Sequence, residues 1–174
     1  MTVEIVVPET TEELDQVRGL MRAFVAWHRE RHQADRDLID RYFDAGDFDG
    51  ELAGLPGKYA PPEGQLLLAR SNGSAAGCVA LRPLDDGVSE MKRMYVDERF
   101  RGQGVGLALS DRVLAGARRL GYQRMRLDTS IRQAEALSLY RRMGFAEIDP
   151  YYDVAEELRG WLVFMELELA GEDR

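Results

Sequence analysis

Residues 101–106, Arg-Gly-Gln-Gly-Val-Gly, concentrate more potential chemistry than any other stretch of this chain. Glycines at 102, 104 and 106 let the backbone take positive φ and come close to a ligand. A strand expected over 90–96 leads into them, and a helix expected over 103–120 leads out. The first amides of such a helix lack intrahelical partners, and its dipole favours negative charge there. Together these features make a phosphate site. Arg101 supplies a charge-assisted donor. The plain alternative, a tight strand-to-helix turn, needs neither three alternating glycines nor an arginine.

Two familiar phosphate-binding patterns do not match the loop. A P-loop needs Gly-Lys-Ser/Thr after its glycine run, and no lysine follows here. A dinucleotide fingerprint that began at Gly102 would require glycine at 107, which is Leu107. Asp128, at the end of the next strand, mimics the acid that binds ribose in that fold. The surroundings differ, because that loop follows the first strand of a parallel sheet.

The elements that must position this loop can be read from periodicity and turn residues. Val3 to Val7 reads as a strand ended by Pro8. Thr10 or Thr11 caps a helix whose apolar face (Leu14, Val17, Met21, Phe24 and His28) runs to about Arg31. A short helix is expected near 38–43, and a turn-rich loop over 55–64. Three strands follow, over 65–71, 75–84 and 90–96, with short connections that make them antiparallel neighbours. Then come the helix over 103–120 stopped at Gly121, a strand over 122–129, a helix over 132–143 closed by Gly144, and strands over 145–148 and 162–169. We read this as one α+β domain over 1–174: a mixed sheet of about seven strands flanked by about four helices.

Composition bounds the function. The chain has 174 residues, a net charge of −8 and one cysteine. An acidic protein is a poor general binder of nucleic acid, which requires phosphate neutralisation. Yet residues 92–142 hold twelve Lys/Arg against five Asp/Glu, while the remainder holds eleven against twenty-six. A basic middle suits a local polyanion site. No apolar run approaches the roughly 20 residues of a membrane span. No basic-then-apolar leader is visible. A lone cysteine forms no internal disulfide, so a reducing cytoplasm is expected. His28 and His32 stand i, i+4, but Glu30 is misplaced for His-Glu-x-x-His and no third ligand is evident, so no metal is expected. Cys78 reads as core filler. Ser110 and Ser138 have no histidine in a hydrolase pattern. Tyr59, Tyr151 and Tyr152 fall in loops and are candidates for lining a pocket.

Arg101-x-x-Gly104-x-Gly106 resembles the Arg/Gln-x-x-Gly-x-Gly/Ala loop of the GNAT superfamily of N-acetyltransferases. The resemblance runs from Glu90-Met91-Lys92-Arg93-Met94-Tyr95-Val96, through the loop, to Leu139-Tyr140-Arg141-Arg142-Met143-Gly144-Phe145, about a third of the chain. Leu127-Asp128-Thr129 and Phe164-Met165-Glu166-Leu167 resemble a group of small bacterial-type members. The resemblance implies an acetyl-CoA-dependent enzyme, with the cofactor held where two parallel strands splay, here 90–96 and 122–129. Its pantetheine arm would pair with Met94, Tyr95 and Val96 as an added strand does. An amide near Met94 would polarise the thioester carbonyl. The pyrophosphate would lie on Arg101, Gly102, Gln103, Gly104, Val105 and Gly106. Tyr140 matches the family tyrosine that faces the sulfur, as acid; Glu90 matches a position where some members carry the base. An amine acceptor attacks the thioester directly. Gln133 departs from the asparagine that often contacts the cofactor seven residues before the tyrosine. Many relatives are homodimers. Two other classes stand beside this one: a non-catalytic acyl-CoA-binding regulatory module and a nucleotide-dependent oxidoreductase.

Overall fold

The continuous apolar run Leu66-Leu67-Leu68-Ala69 lies in a strand covered on both faces. The computed structural model describes residues 2–45 and 47–169. Its strands are β1 (Val3–Val6), β2 (Gln65–Ser71), β3 (Ser74–Asp85), β4 (Val88–Val96), β5 (Arg124–Ser130), β6 (Ala146–Ile148) and β7 (Leu162–Glu168). They form one mixed sheet in the order β1-β2-β3-β4-β5-β7-β6. β4 and β5 are parallel; the remaining neighbours are antiparallel. The final strand β7 therefore inserts between β5 and β6, a placement that no local signal encodes.

Helices α1 (Thr11–Arg31), α2 (Arg36–Ala45), α3 (Phe48–Ala53), α4 (Val105–Arg119) and α5 (Ala134–Met143) cover the sheet. Thr10 is the N-cap of α1: its hydroxyl accepts from Glu13 N–H at 3.1 Å and Glu13 accepts from Thr10 N–H at 3.1 Å. Five α-helices stand where about four were expected. The extra one, α3, has six residues with Asp49 and Gly50 among them, too short and polar to show a period. The side chain of Asp47 starts it, accepting from Gly50 N–H. Among the described residues, no helix is long and apolar enough to cross a membrane.

Strand alternation splits the core into two layers. Leu67, Val79, Leu81 and Met91 face Leu109, Val113 and Ala117 of α4 and Leu137 and Tyr140 of α5. Leu66, Leu68, Cys78, Ala80 and Tyr95 face Val17, Leu20 and Met21 of α1. Ile39 and Phe43 of α2 pack with Leu158, Trp161 and Phe164. Each of these leucines, fully removed from water, contributes on the order of 1.5–3 kcal/mol. The same two layers determine what faces each side of the sheet where it opens.

Candidate active site

β4 and β5 are paired only at Val88↔Arg124, Ser89↔Met125 and Glu90↔Arg126. Both strands continue beyond, to Val96 and Ser130, so the sheet opens in a V. Two cavities meet in the opening. A cleft of about 880 Å³ lies against α4 and α5 and is lined by Met94, Tyr95, Val96, the glycine loop and Leu139. A chamber of about 60 Å³ is walled by Phe24, His28, Tyr42, Lys92, Asp128 and Tyr140. Phe24, Met94, Gln133 and Ala136 line both.

Two of the three loop glycines take the positive φ expected of them; Gly106 is helical, and the helix starts at Val105 rather than at 103. Gly102 and Gly104 take φ of +76° and +82°, and Gly104 is the left-handed N-cap of α4. A Cβ on either would meet nothing within 4 Å, so the loop faces open space. Ala108 N–H bonds Gly104 C=O, which leaves the amides of 105–107 as the free donors of the first turn. Arg101, Arg118 and Arg142 line the cleft against Asp111 and Glu135. A polyphosphate fits this donor set. Of the residues expected to bind the cofactor, Met94, Tyr95, Val96, Arg101, Gly102, Gly104, Val105 and Gly106 all line the cleft. Gln103 does not: its side chain turns away to Ser71 Oγ and the Arg99 carbonyl. Arg101 is itself held, with Nε on the Val96 carbonyl at 3.1 Å and its guanidinium 4.4 Å from the ring centre of Trp27. Trp27 drew no attention in the sequence because its helix period is that of core.

A β-bulge positions Met94. Ala80 pairs with Lys92 and Cys78 with Tyr95, so Arg93 and Met94 together oppose the single residue Val79. Arg93 has φ of +60°, a strained conformation for a residue with a Cβ. Its guanidinium anchors it, donating to Glu51 of α3 at 2.8 and 3.1 Å between the rings of Phe43 and Phe48. The Arg93 carbonyl accepts from Cys78 Sγ at 3.4 Å. Burial pushes the Cys78 thiol up to about 12, which makes it inert at neutral pH.

Tyr140 is 5% exposed and lines the chamber. Burial first, then the Asp128 charge, push its phenol above the ordinary range, so it is fully protonated at neutral pH. Glu90 is placed differently from expectation. It is 1% exposed, accepts from Arg82 Nε at 2.7 Å and Tyr151 OH at 2.5 Å, and lines neither cavity. Its ion pair is with Arg82. The carboxylate that reaches the chamber is Asp128, which accepts from Tyr42 OH at 2.8 Å, Lys92 Nζ at 3.1 Å and Tyr152 OH at 2.5 Å. Burial raises the Asp128 pKa, but Lys92 and the two tyrosines overcome that and hold it low. Burial opposes the charge on Lys92 as well, and Tyr42 and Asp128 more than offset it. Both partners are therefore charged. Tyr151 and Tyr152 cap the carboxylates from outside, and Tyr59 is buried against α3; none of the three lines the chamber. Among the described residues, no three His, Cys, Asp or Glu side chains cluster to hold a metal.

His28 also lines the chamber, stacked between Phe24 and Trp161. Burial lowers its pKa to about 4, so it is neutral at pH 7. The unfolded chain, at about 6.5, binds the proton first. This histidine's contribution is therefore complete above pH 6.5 and declines as pH falls toward 4. A shift of that size corresponds to a loss of up to roughly 3 kcal/mol. Denaturant unfolding at pH 7 and 4.5 is expected to show that loss, and His28→Phe to remove most of it. An unchanged pH dependence in the variant would place the titration elsewhere.

A model of the acetyltransferase (GNAT) family matches residues 20–145. Over 106 residues the chain is 42% identical to an uncharacterised N-acetyltransferase of Schizosaccharomyces pombe, covering 60% of this chain and 65% of that one. Over 93 residues it is 37% identical to an IAA acetyltransferase of Azospirillum brasilense, covering 53% and 61%. The match thus spans less than two thirds of either relative's length. Among solved structures, a Klebsiella pneumoniae protein assigned as an acyl-CoA N-acyltransferase superposes with a TM-score of 0.67 at 30% identity, over 97% of both chains. The PaiA N-acetyltransferase of Thermoplasma acidophilum, crystallised with coenzyme A, gives 0.71 at 18% identity over 97% and 99%, a likeness of fold. The matched family region takes in well over half of the chain, with the glycine loop and Tyr140 inside it, and the protein belongs to the GNAT family of acetyltransferases.

Proposed function

We propose that the protein moves an acetyl group from acetyl-CoA to a primary amine by direct attack, without an acyl-enzyme. The observation that carries this reading is the meeting of the two cavities at Met94, Gln133 and Ala136, with Tyr140 beside the junction. A thioester threaded along Met94, Tyr95 and Val96 would present its carbonyl carbon to the chamber. The diphosphate would lie on the amides after Gly102 and on the start of α4, with Arg101 adjacent.

Each proton then has a route. The amine arrives as an ammonium near Asp128, whose low pKa makes it a good electrostatic partner and a weak base. Glu90, sealed by Arg82 and Tyr151 and outside both cavities, would serve as base only through water that links it to the chamber. The amide beside the Arg93 bulge stabilises the oxyanion. Tyr140 donates a hydrogen bond to the departing sulfur. Burial makes complete transfer from this phenol uphill, but it raises the pKa of a thiolate in the same dry site too.

The test is release of free thiol from acetyl-CoA against a panel of amines. Turnover supports the reading. Tight coenzyme A binding with no turnover on any amine supports a non-catalytic acyl-CoA-binding module instead. Tyr140→Phe is expected to lower kcat by about tenfold to a hundredfold with coenzyme A affinity unchanged. An unchanged kcat removes Tyr140 from the mechanism.

A further inference from the structure

Two buried nitrogens in the acceptor chamber have no partner outside their own residue. His28 is 3% exposed, and its ring is fixed by stacking on Phe24 (6.1 Å, 28°) and Trp161 (5.9 Å, 15°). Its Nε2 lies 3.5 Å from Ser130 Oγ. That oxygen accepts from Arg132 N–H at 3.2 Å and still has its hydroxyl hydrogen to give to Nε2. In that tautomer the neutral ring carries its proton on Nδ1, a buried atom with no partner outside its own residue. Gln133 is 5% exposed, and its Nε2 is likewise buried and unpartnered. Although it is the N-cap of α5, its side chain does not cap the helix, and it lines both cavities.

Each unsatisfied buried donor costs a domain on the order of 1–3 kcal/mol, so two of them in one chamber point to a ligand that completes them. Both are donors, and both are neutral. What they lack is an oxygen. The amine's own needs are met elsewhere, because the oxygens of Asp128 keep acceptor capacity beyond their three present donors. The chamber, about 60 Å³, has room for roughly four to six water-sized groups. An amine and an oxygen that enter it together are therefore only a few bonds apart.

We propose that the acceptor is an α-amino carbonyl compound, an amino acid or its amide, whose carbonyl oxygen is read by His28 and Gln133. The assignment rests on the acetyl-transfer reading of the same site. Lys92 is committed to Asp128 and Tyr42 and Arg93 to Glu51, so among the described residues that line the chamber no free cation is left to demand a full carboxylate. The shared chemistry is the oxygen beside the amine, and the two sources are separated by experiment.

Thiol release from acetyl-CoA is measured with alanine, alaninamide, sec-butylamine and propargylamine. The last is an oxygen-free amine whose low basicity resembles that of the amide. The same ligands are titrated calorimetrically into the enzyme–coenzyme A complex. One or both α-amino carbonyl compounds are expected to exceed both oxygen-free amines at least tenfold in kcat/KM. His28→Phe and, independently, Gln133→Met are expected to raise the KM of the preferred compound tenfold or more. Coenzyme A affinity should be unchanged in His28→Phe. Preference for alaninamide identifies a neutral carbonyl; preference for alanine identifies a carboxylate. Equal turnover of the oxygen-free amines overturns the proposal and leaves acetyl transfer standing. Selective binding of alanine or alaninamide without turnover of any amine overturns acetyl transfer and leaves the carbonyl site standing. If His28→Phe fails to fold, Gln133→Met decides.

Discussion

Gly104→Val is expected to weaken coenzyme A binding at least about a hundredfold, on the order of 3 kcal/mol, while the fold survives. The argument is local. Gly104 sits at φ +82° with open space where its Cβ would project, at the mouth of the first turn of α4. A branched side chain there occupies the volume in front of the free amides that the diphosphate needs. Losing even two charge-assisted bonds, at roughly 1.5–3 kcal/mol each, accounts for the effect. The substitution also forces a β-branched residue into the left-handed region, at roughly 1–2 kcal/mol. Gly121→Val separates the two consequences. Gly121 lies just past the opposite end of α4, at φ +89°; a Cβ there would also meet nothing within 4 Å, and the residue does not line the cleft. Both variants should lose a few degrees of Tm, and only Gly104→Val should lose the ligand in calorimetry. Normal binding in Gly104→Val would remove the loop from the site.

The loop was legible because everything it needs is local: a strand end, three glycines, an arginine and a helix start within about ten residues. Tyr140 could be assigned a place for a similar reason, since its helix and the closing Gly144 are contiguous. The acceptor chamber was not legible. Tyr42, Lys92 and Asp128 bond one another across separations of 36 to 86 residues, and nothing in the period of α2, β4 or β5 announces it. Asp128 stood out as a dinucleotide decoy and as part of the Leu127-Asp128-Thr129 motif, and His28 as part of a helix face and of a possible metal pair; neither reading pointed to a chamber. Glu90 illustrates the converse limit. Strand alternation places it on the face of Lys92, but whether that face meets a cavity or a cap depended on where Tyr151 arrived, from a loop 61 residues away. The bulge was equally hidden, because a left-handed arginine has no sequence signature. Its conformation is imposed by Glu51, from the helix the sequence did not reveal.

That dependence gives Glu51 an expected effect as large as any at the site. Glu51→Ala strands the Arg93 guanidinium between Phe43 and Phe48, and it also removes the carboxylate paired with Lys58 at 3.0 Å. Removing one partner of a buried pair costs about 3–5 kcal/mol. For a chain of this size that corresponds to a fall in Tm of roughly 6–20 °C. Burial alone would raise the Glu51 pKa; the Arg93 hydrogen bonds and charge, with Lys58, bring it down from 4.5 to about 2. The pair's contribution is thus present above pH 4.5 and lost as pH falls toward 2, and the variant should lack that part of the acid transition. Glu51→Leu combined with Arg93→Met should regain most of the stability, because apolar replacement of a buried pair is often neutral. The left-handed φ at position 93 would then have no anchor. With that strain free to relax, the bulge should flatten and the Met94 amide swing out of line. A kcat reduced at least about tenfold, with stability and coenzyme A affinity near normal, is the expected result for the double variant. A double variant with wild-type kcat would show that the bulge keeps its shape without the ion pair, and that the oxyanion donor depends on β3 alone.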